Sequence, residues 1–184
     1  WGRLRIPPDS DKASREARWW GWQEEMSALV AAVAAWDSAR LGIQDPVGDR
    51  SGVERTDAHV ALQAAERKPS AVSYVNAHGT GTADNDLAEG RALRQLFGER
   101  LPPISSTKRF FGHTLAAAGA IEALVCVLAL QRQRVPANLG FRRVDPEIGF
   151  APAAHTSAAD LEVALTNSLG FGGNNCSLIL ERSG

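Results

Sequence analysis

Cysteine, lysine and one-signed charge are all scarce in this 184-residue chain, and each scarcity excludes something. The two cysteines, Cys126 and Cys176, lie in apolar segments. They make no disulfide framework and suit reduced, buried thiols in a cytosolic protein. Twenty Lys and Arg face twenty-one Asp and Glu, a formal net charge of −1, so bulk electrostatics point to neither nucleic acid nor an acidic membrane. The longest apolar run, Leu115 to Leu130, is broken by Glu122 and falls short of the roughly 20 residues of a bilayer span. It is read as a buried core helix. The first residues lack the charged-then-apolar pattern of a secretory leader. They begin with Trp rather than Met, as in a piece of a longer chain. His78 and His113 have no His or Cys at ligand spacing, which argues against zinc. No Gly-Lys-Ser/Thr follows a glycine run, so there is no P-loop, and the glycines of 79–82 lack the third of a dinucleotide loop.

With 44% hydrophobic residues, the chain can bury one domain core. Composition changes near residue 50: all five Trp lie at or before Trp36. Residues 1–50 read as a Trp-rich segment with one helix over 23–40, and residues 51–184 as a separate domain. In the latter, helices are expected over 57–67, 86–97 and 113–131, and strands over 71–76 and 102–107. "RVPANLGF" reads as an extended connection, and 161–181 as a hairpin around a Gly-rich turn. The alternation predicts a layered α/β fold with a mixed sheet and a central buried helix.

Three segments place polar groups beside glycine at the end of an apolar element: "NAHGTGT" (76–82), "STKRFFGH" (106–113) and "NSLGFGGNN" (167–175). Singly, each has a plain structural reading: a histidine at a strand end, a buried ion pair, a hairpin turn. Lys108 stands out because the chain uses 17 Arg and 3 Lys, and a compact ammonium enters a pocket more readily than a guanidinium fork. Glu122, within the apolar run, needs a partner, and Lys108 is the natural one.

In this order and spacing the three segments resemble the C-terminal half of the β-ketoacyl-acyl-carrier-protein synthases, condensing enzymes of the thiolase-like fold. Glu89 follows His78 by eleven residues and Glu122 follows His113 by nine, as in the family pattern. The resemblance covers about 57–182. It implies half of a layered α-β-α-β-α sandwich and decarboxylative Claisen condensation of an acyl thioester with malonyl-carrier. The roles it implies are as follows. His78 and His113 donate to an enolate oxygen, and Lys108, paired with Glu122, holds their geometry. The Phe171 backbone N–H completes an oxyanion site that Gly172 and Gly173 let turn towards the substrate. Thr80 and Thr82 bond the pantetheine amides. Glu89 joins Glu122 as a structural ion-pair residue. No tightly bound cofactor is implied; phosphopantetheine arrives on the acyl carrier protein. The implied partners are that carrier, the N-terminal synthase half and a second subunit, in the cytoplasm. Leu169, Asn174 and Ala116 depart from the common Phe, Thr and Gly, and Leu169 and Ala116 put chain-length preference in doubt.

The family's nucleophilic cysteine belongs to the N-terminal half, at a helix tip. Neither Cys126 nor Cys176 has a helix N-terminus or a base beside it in sequence. The expectation is therefore a chain that does not condense alone. A non-catalytic partner resembling a chain-length factor, or an inactive remnant, are the alternatives.

Overall fold

A computed structural model describes residues 57–170 and 175–182, all within one compact unit, Gly48–Gly184. The expectations for residues 1–50, and those placed on Phe171, Gly172, Gly173 and Asn174, lie outside the described residues. The described chain begins with α1 (Asp57–Ala64), followed by a 3₁₀ turn at Pro69–Ala71 and then β1 (Tyr74–Asn76). Next come α2 (Ala83–Phe97), β2 (Ile104–Ser105) and a single turn, α3 (Lys108–Phe111). After a 3₁₀ turn at Leu115–Ala117 the chain forms α4 (Ala118–Arg132), β3 (Arg134–Val135), β4 (Ser157–Ala158), β5 (Val163–Leu169) and β6 (Asn175–Glu181).

Strand order in the main sheet is β2-β1-β5-β6. β1 runs parallel to β2 and to β5, while β5 and β6 form an antiparallel hairpin. Parallel neighbours require helical crossovers; α2 makes one, from β1 to β2. Alternation along the strands sends side chains to opposite faces. Val75, Ile104 and Leu165 pack with Ala58 and Leu62 of α1 and Leu93 and Leu96 of α2. Tyr74, Ala164 and Leu180 pack with Cys126, Ala129 and Leu130 of α4. The sheet thus lies between α1 and α2 on one side and α4 on the other, the mixed, layered α/β arrangement expected.

Several boundaries differ from expectation. β1 starts at Tyr74 rather than 71, because Pro69, at the first position of the 3₁₀ turn, draws Ala71 into it. α2 starts at Ala83, directly after Thr82 in extended conformation. α4 starts at Ala118 rather than 113: Gly112 has φ +78° and Leu115 φ +53°, which no α-helix accommodates. α4 is also less enclosed than its composition suggests. Ala118, Glu122, Cys126, Ala129 and Leu130 form its buried stripe, while Ile121, Leu124, Val125 and Leu128 are half-buried. Its 15 residues reach about 22 Å at 1.5 Å per residue, short of a bilayer's ~30 Å. The expected extended connection begins as β3, paired antiparallel with β4.

Candidate functional site

The three motifs meet at one end of the sheet. β1 ends at Asn76, so His78 and Gly79 emerge just beyond a fully buried strand. β2, the neighbour of β1, ends at Ser105 and delivers Ser106, Thr107 and Lys108 beside them. β5, on the other side, delivers Asn167 and Ser168.

Glu89 of α2 holds the His78 segment in place. Its carboxylate accepts the His78 and Gly79 backbone N–H groups, both at 2.9 Å, and the Asn167 amide at 3.2 Å. Burial pushes the Glu89 carboxyl upward, and the Gly79 and His78 N–H groups oppose that shift. This corrects the expectation of an ion pair at Glu89: backbone and amide N–H groups fill its lone pairs, and no cation bonds to it. Gly79 is required here. Its φ is +40°, and a Cβ on it would lie 2.5 Å from the Ser106 Cβ. Ser106 Oγ donates to the Gly79 carbonyl at 2.9 Å, tying the end of the first motif to the second.

Lys108 is buried on the single turn α3. Its ammonium pairs with Glu122 and lies 3.1 Å from Nδ1 of His78. The Lys108 and Glu122 side chains are 8% and 3% exposed, so the expected buried pair is present. Ser168 Oγ donates to the second Glu122 oxygen at 3.4 Å. Burial raises the Glu122 carboxyl and Lys108 opposes it.

The His78 and His113 rings stand 5.4 Å apart between centroids, nearly perpendicular at 84°. His78 is 4% exposed and His113 is exposed. A lysine ammonium has only protons to offer, so Nδ1 of His78 accepts from Lys108 and its proton sits on Nε2. Nδ1 of His113 accepts the Leu115 backbone N–H at 3.2 Å, which assigns the same Nε2–H tautomer. Desolvation, the Lys108 charge and His113 together hold the His78 imidazole down to about 4. His78 is therefore a neutral N–H donor at pH 7.

Thr80 and Thr82 share a hydroxyl–hydroxyl hydrogen bond of 2.9 Å, and Thr82 makes no side-chain cap to α2. A groove of about 710 Å³ is lined by Thr80, Asp86, Lys108, Arg109, His113 and Arg143 among others. Asp86 accepts the Gly81 N–H at 3.1 Å and pins the loop between the threonines.

Leu115, Ser106 and Asn167 are the site residues that motif reading passed over. Ser106 and Asn167 lie inside the quoted motifs, so the signal was there. The role of Leu115 depends on its positive φ and its backbone N–H, which side-chain identity does not encode. The cysteines stand apart. Cys126 is completely buried on the sheet-facing side of α4, and desolvation followed by the Glu122 charge drives its thiol strongly upward. The Cys176 thiol is exposed and is also raised, by desolvation and then by Asp57.

Residues 28–142 match the sequence pattern of the family described as "Beta-ketoacyl synthase, C-terminal domain". The chain belongs to this family. The match begins at residue 28, within the stretch that the motif resemblance leaves uncovered. Among β-ketoacyl synthases, the chain is 35% identical over 158 residues to 3-oxoacyl-[acyl-carrier-protein] synthase 2 of Mycobacterium bovis, covering 85% of this chain and 37% of that one. A β-ketoacyl synthase structure from Burkholderia phymatum superposes with TM-score 0.65 at 40% identity, over 69% of this chain and 31% of that one. So does a type II polyketide ketosynthase in complex with its acyl-carrier protein, with TM-score 0.65 at 33% identity, over 68% and 31%. These neighbours share the thiolase-like α/β fold. The chain spans about a third of the length of the relatives it matches.

Proposed function

We propose that this chain is the C-terminal part of a 3-oxoacyl-[acyl-carrier-protein] synthase. The observation that carries this reading is the pair of imidazoles whose Nδ1 atoms are both already occupied, His78 by Lys108 and His113 by the Leu115 N–H. Both Nε2–H groups are left to donate to one oxygen. That is what a thioester enolate requires when malonyl-carrier loses carbon dioxide and charge moves onto the thioester oxygen. A neutral donor suits the task, because a permanent cation would favour the malonyl carboxylate as strongly as the enolate.

The rest of the reaction follows in balanced steps. The enolate carbon attacks an acyl thioester, the thiolate leaves, and a 3-oxoacyl-carrier results. Lys108 and Glu122 fix the His78 ring, and Glu89 fixes its backbone. By the family resemblance, the Phe171 N–H, beside Gly172 and Gly173, is assigned the oxyanion of acyl transfer. Thr80, half-buried at the groove, and Thr82, exposed and bonded to its hydroxyl, take the pantetheine amides. The phosphopantetheine comes with the carrier as a substrate arm. The polyketide neighbour in complex with its carrier supports the carrier as partner. A second synthase half and a second subunit complete the assembly. Family membership supports a cytoplasmic enzyme of fatty-acid or polyketide biosynthesis.

The acylated thiol is not supplied by this chain. Cys126 is sealed between α4 and the sheet, both thiols are held in the protonated form, and neither is activated by a base. The chain alone therefore performs no condensation. Retention of both imidazoles and Lys108 favours a catalytic part over a chain-length-factor-like partner. The test is incubation of the purified chain with acyl- and malonyl-carrier, read by mass spectrometry. Neither 3-oxoacyl product nor a stoichiometric acyl adduct on Cys126 or Cys176 is expected, and either one would overturn the reading.

A further inference from the structure

The connection from β3 to β4, residues 136–156, contains neither helix nor strand. In compact domains, loops of more than about 12–15 residues without secondary structure commonly serve as lids or binding loops. The feet of this strap are tied down. Asn138 N–H bonds the Ala153 carbonyl at 2.7 Å, Ala153 N–H bonds the Ile104 carbonyl at 2.8 Å, and Asn138 Oδ1 accepts the Ser106 N–H at 2.8 Å. Between the feet, residues 142–147 are all exposed, while Phe141, Ile148 and Phe150 are half-buried. Phe141, Arg143, Asp145, Ile148 and Phe150 line the groove, so the strap is one of its walls.

A single side chain of α2 grips this wall. Arg94 Nε donates to the Ile148 carbonyl at 2.9 Å, its Nη2 donates to the Gly149 carbonyl, and the guanidinium lies 5.8 Å from the centre of the Phe150 ring. One turn earlier on the same helix face, Gly90 receives Ile148: a Cβ on Gly90 would lie 2.9 Å from the Ile148 Cγ2. The exposed middle of the strap is flanked by Gly140 at φ +80° and Gly149 at φ +73°, a backbone region that glycine enters freely. Its remaining bonds are internal. Gly149 N–H bonds the Asp145 carbonyl at 2.8 Å and Glu147 N–H the Asp145 carboxylate at 2.9 Å, so 145–149 holds its own shape.

We propose that residues 140–149 form a hinged wall of the groove and that Arg94 is its latch. The two glycines supply the pivots, and the Asn138–Ala153 foot stays closed. Arg94 holds the far end to α2 through two carbonyls and one ring face. Water can replace the guanidinium at both carbonyls once the wall lifts, so opening leaves no buried polar group unpaired. Lifting the wall carries Arg143, Asp145 and Ile148 out of the groove and widens it. Arg94 is thus a positioning residue: it acts on the groove through the wall. The device is independent of what the groove binds.

The experiment is hydrogen exchange of the whole chain, read by mass spectrometry over 139–150 with β1 and β5 as internal reference. Trypsin cleavage after Arg142 and Arg143 is the second probe. Arg94→Met keeps the stem and removes every donor. It is expected to raise strap exchange by about tenfold or more, as the loss of two charge-assisted bonds implies. Cleavage at both arginines rises in proportion, because both probes follow the open population. Protection of β1 and β5 stays as in the unmodified chain. Arg94→Lys, whose ammonium reaches one carbonyl, falls between. Gly90→Ala supplies the readout that a merely structural role would not give. Alanine favours a helix over glycine, so α2 keeps its protection while the strap loses its own as Ile148 is pushed away. Strap exchange unchanged in Arg94→Met, or strap and sheet rising equally, overturns the latch. A strap as protected in Gly90→Ala as in the unmodified chain overturns the wall as a separately moving body.

Discussion

Lys108 is the residue on which the site turns, because two separate demands meet at its ammonium. It neutralises Glu122 inside the fold and supplies the proton that fixes the His78 tautomer. Removing one partner of a buried ion pair leaves the other uncompensated and typically costs about 3–5 kcal/mol. Lys108→Met should therefore lower the melting temperature markedly, and Lys108→Met combined with Glu122→Leu should recover much of the loss. Thermal unfolding of the two variants checks this; an unchanged melting temperature for Lys108→Met would show that the pair carries no structural weight. His78 gives a pH signature. Its folded value lies near 4 and its ordinary value is 6.5, so between those limits the unfolded chain takes up the proton first. Stability from this group is fully present above about 6.5, falls as pH drops towards 4, and changes no further below that. Glu89 and Glu122, raised by burial, act in the opposite sense. The measurement is therefore the difference in pH slope between the unmodified chain and His78→Gln, expected to be positive from pH 4 to 6.5. A zero difference would place the imidazole in water.

At the scale of elements, the site is a junction of strand ends and depends on one close approach. The β1–α2 connection and the β2–α3 connection touch through Gly79 and Ser106. Gly79→Ala would have to relieve both a left-handed backbone and a 2.5 Å approach of its Cβ to the Ser106 Cβ. Strained backbone and overpacking each cost about 1–3 kcal/mol. Gly79→Ala should destabilise by at least that much, with Ser106→Gly recovering the packing share and not the backbone share. Equal unfolding midpoints for Gly79→Ala and the double variant would show that Ser106 does not set the approach. The same junction explains the short helix α3: it ends at Gly112, whose N–H bonds the Lys108 carbonyl, and swings His113 out towards His78 before α4 begins.

For the whole molecule, the main sheet and α4 set what the chain presents to others. The buried stripe of α4 is anchored by Glu122, Cys126 and Leu130, while Ile121, Leu124, Val125 and Leu128 are half-buried. Phe110, Phe111 and Leu115, exposed between 42% and 69%, extend that apolar surface beside the histidines. The proposed absence of condensation by the chain alone belongs to this scale too, since the histidines and the lysine are assembled within one unit while no activated thiol is.

The sequence by itself determined the chemistry and its order along the chain. His78, Lys108 and His113 were legible because three segments beside glycine together resemble the β-ketoacyl synthase pattern, and Glu89 and Glu122 because they stand at that pattern's spacings. The mixed, layered α/β arrangement was legible because strands β1 and β2 alternate with helical periods and the chain ends on a hairpin. Tertiary structure alone decided how those groups are used. The choice of N–H donors over a cation for Glu89 depends on two backbone amides that only the β1–α2 turn brings to it. The tautomer of His113 depends on a leucine amide at positive φ, a backbone property that many side chains could occupy. The late start of α4 and its half-covered face were hidden because composition records how apolar a helix is, whereas packing decides which of its faces meets the sheet.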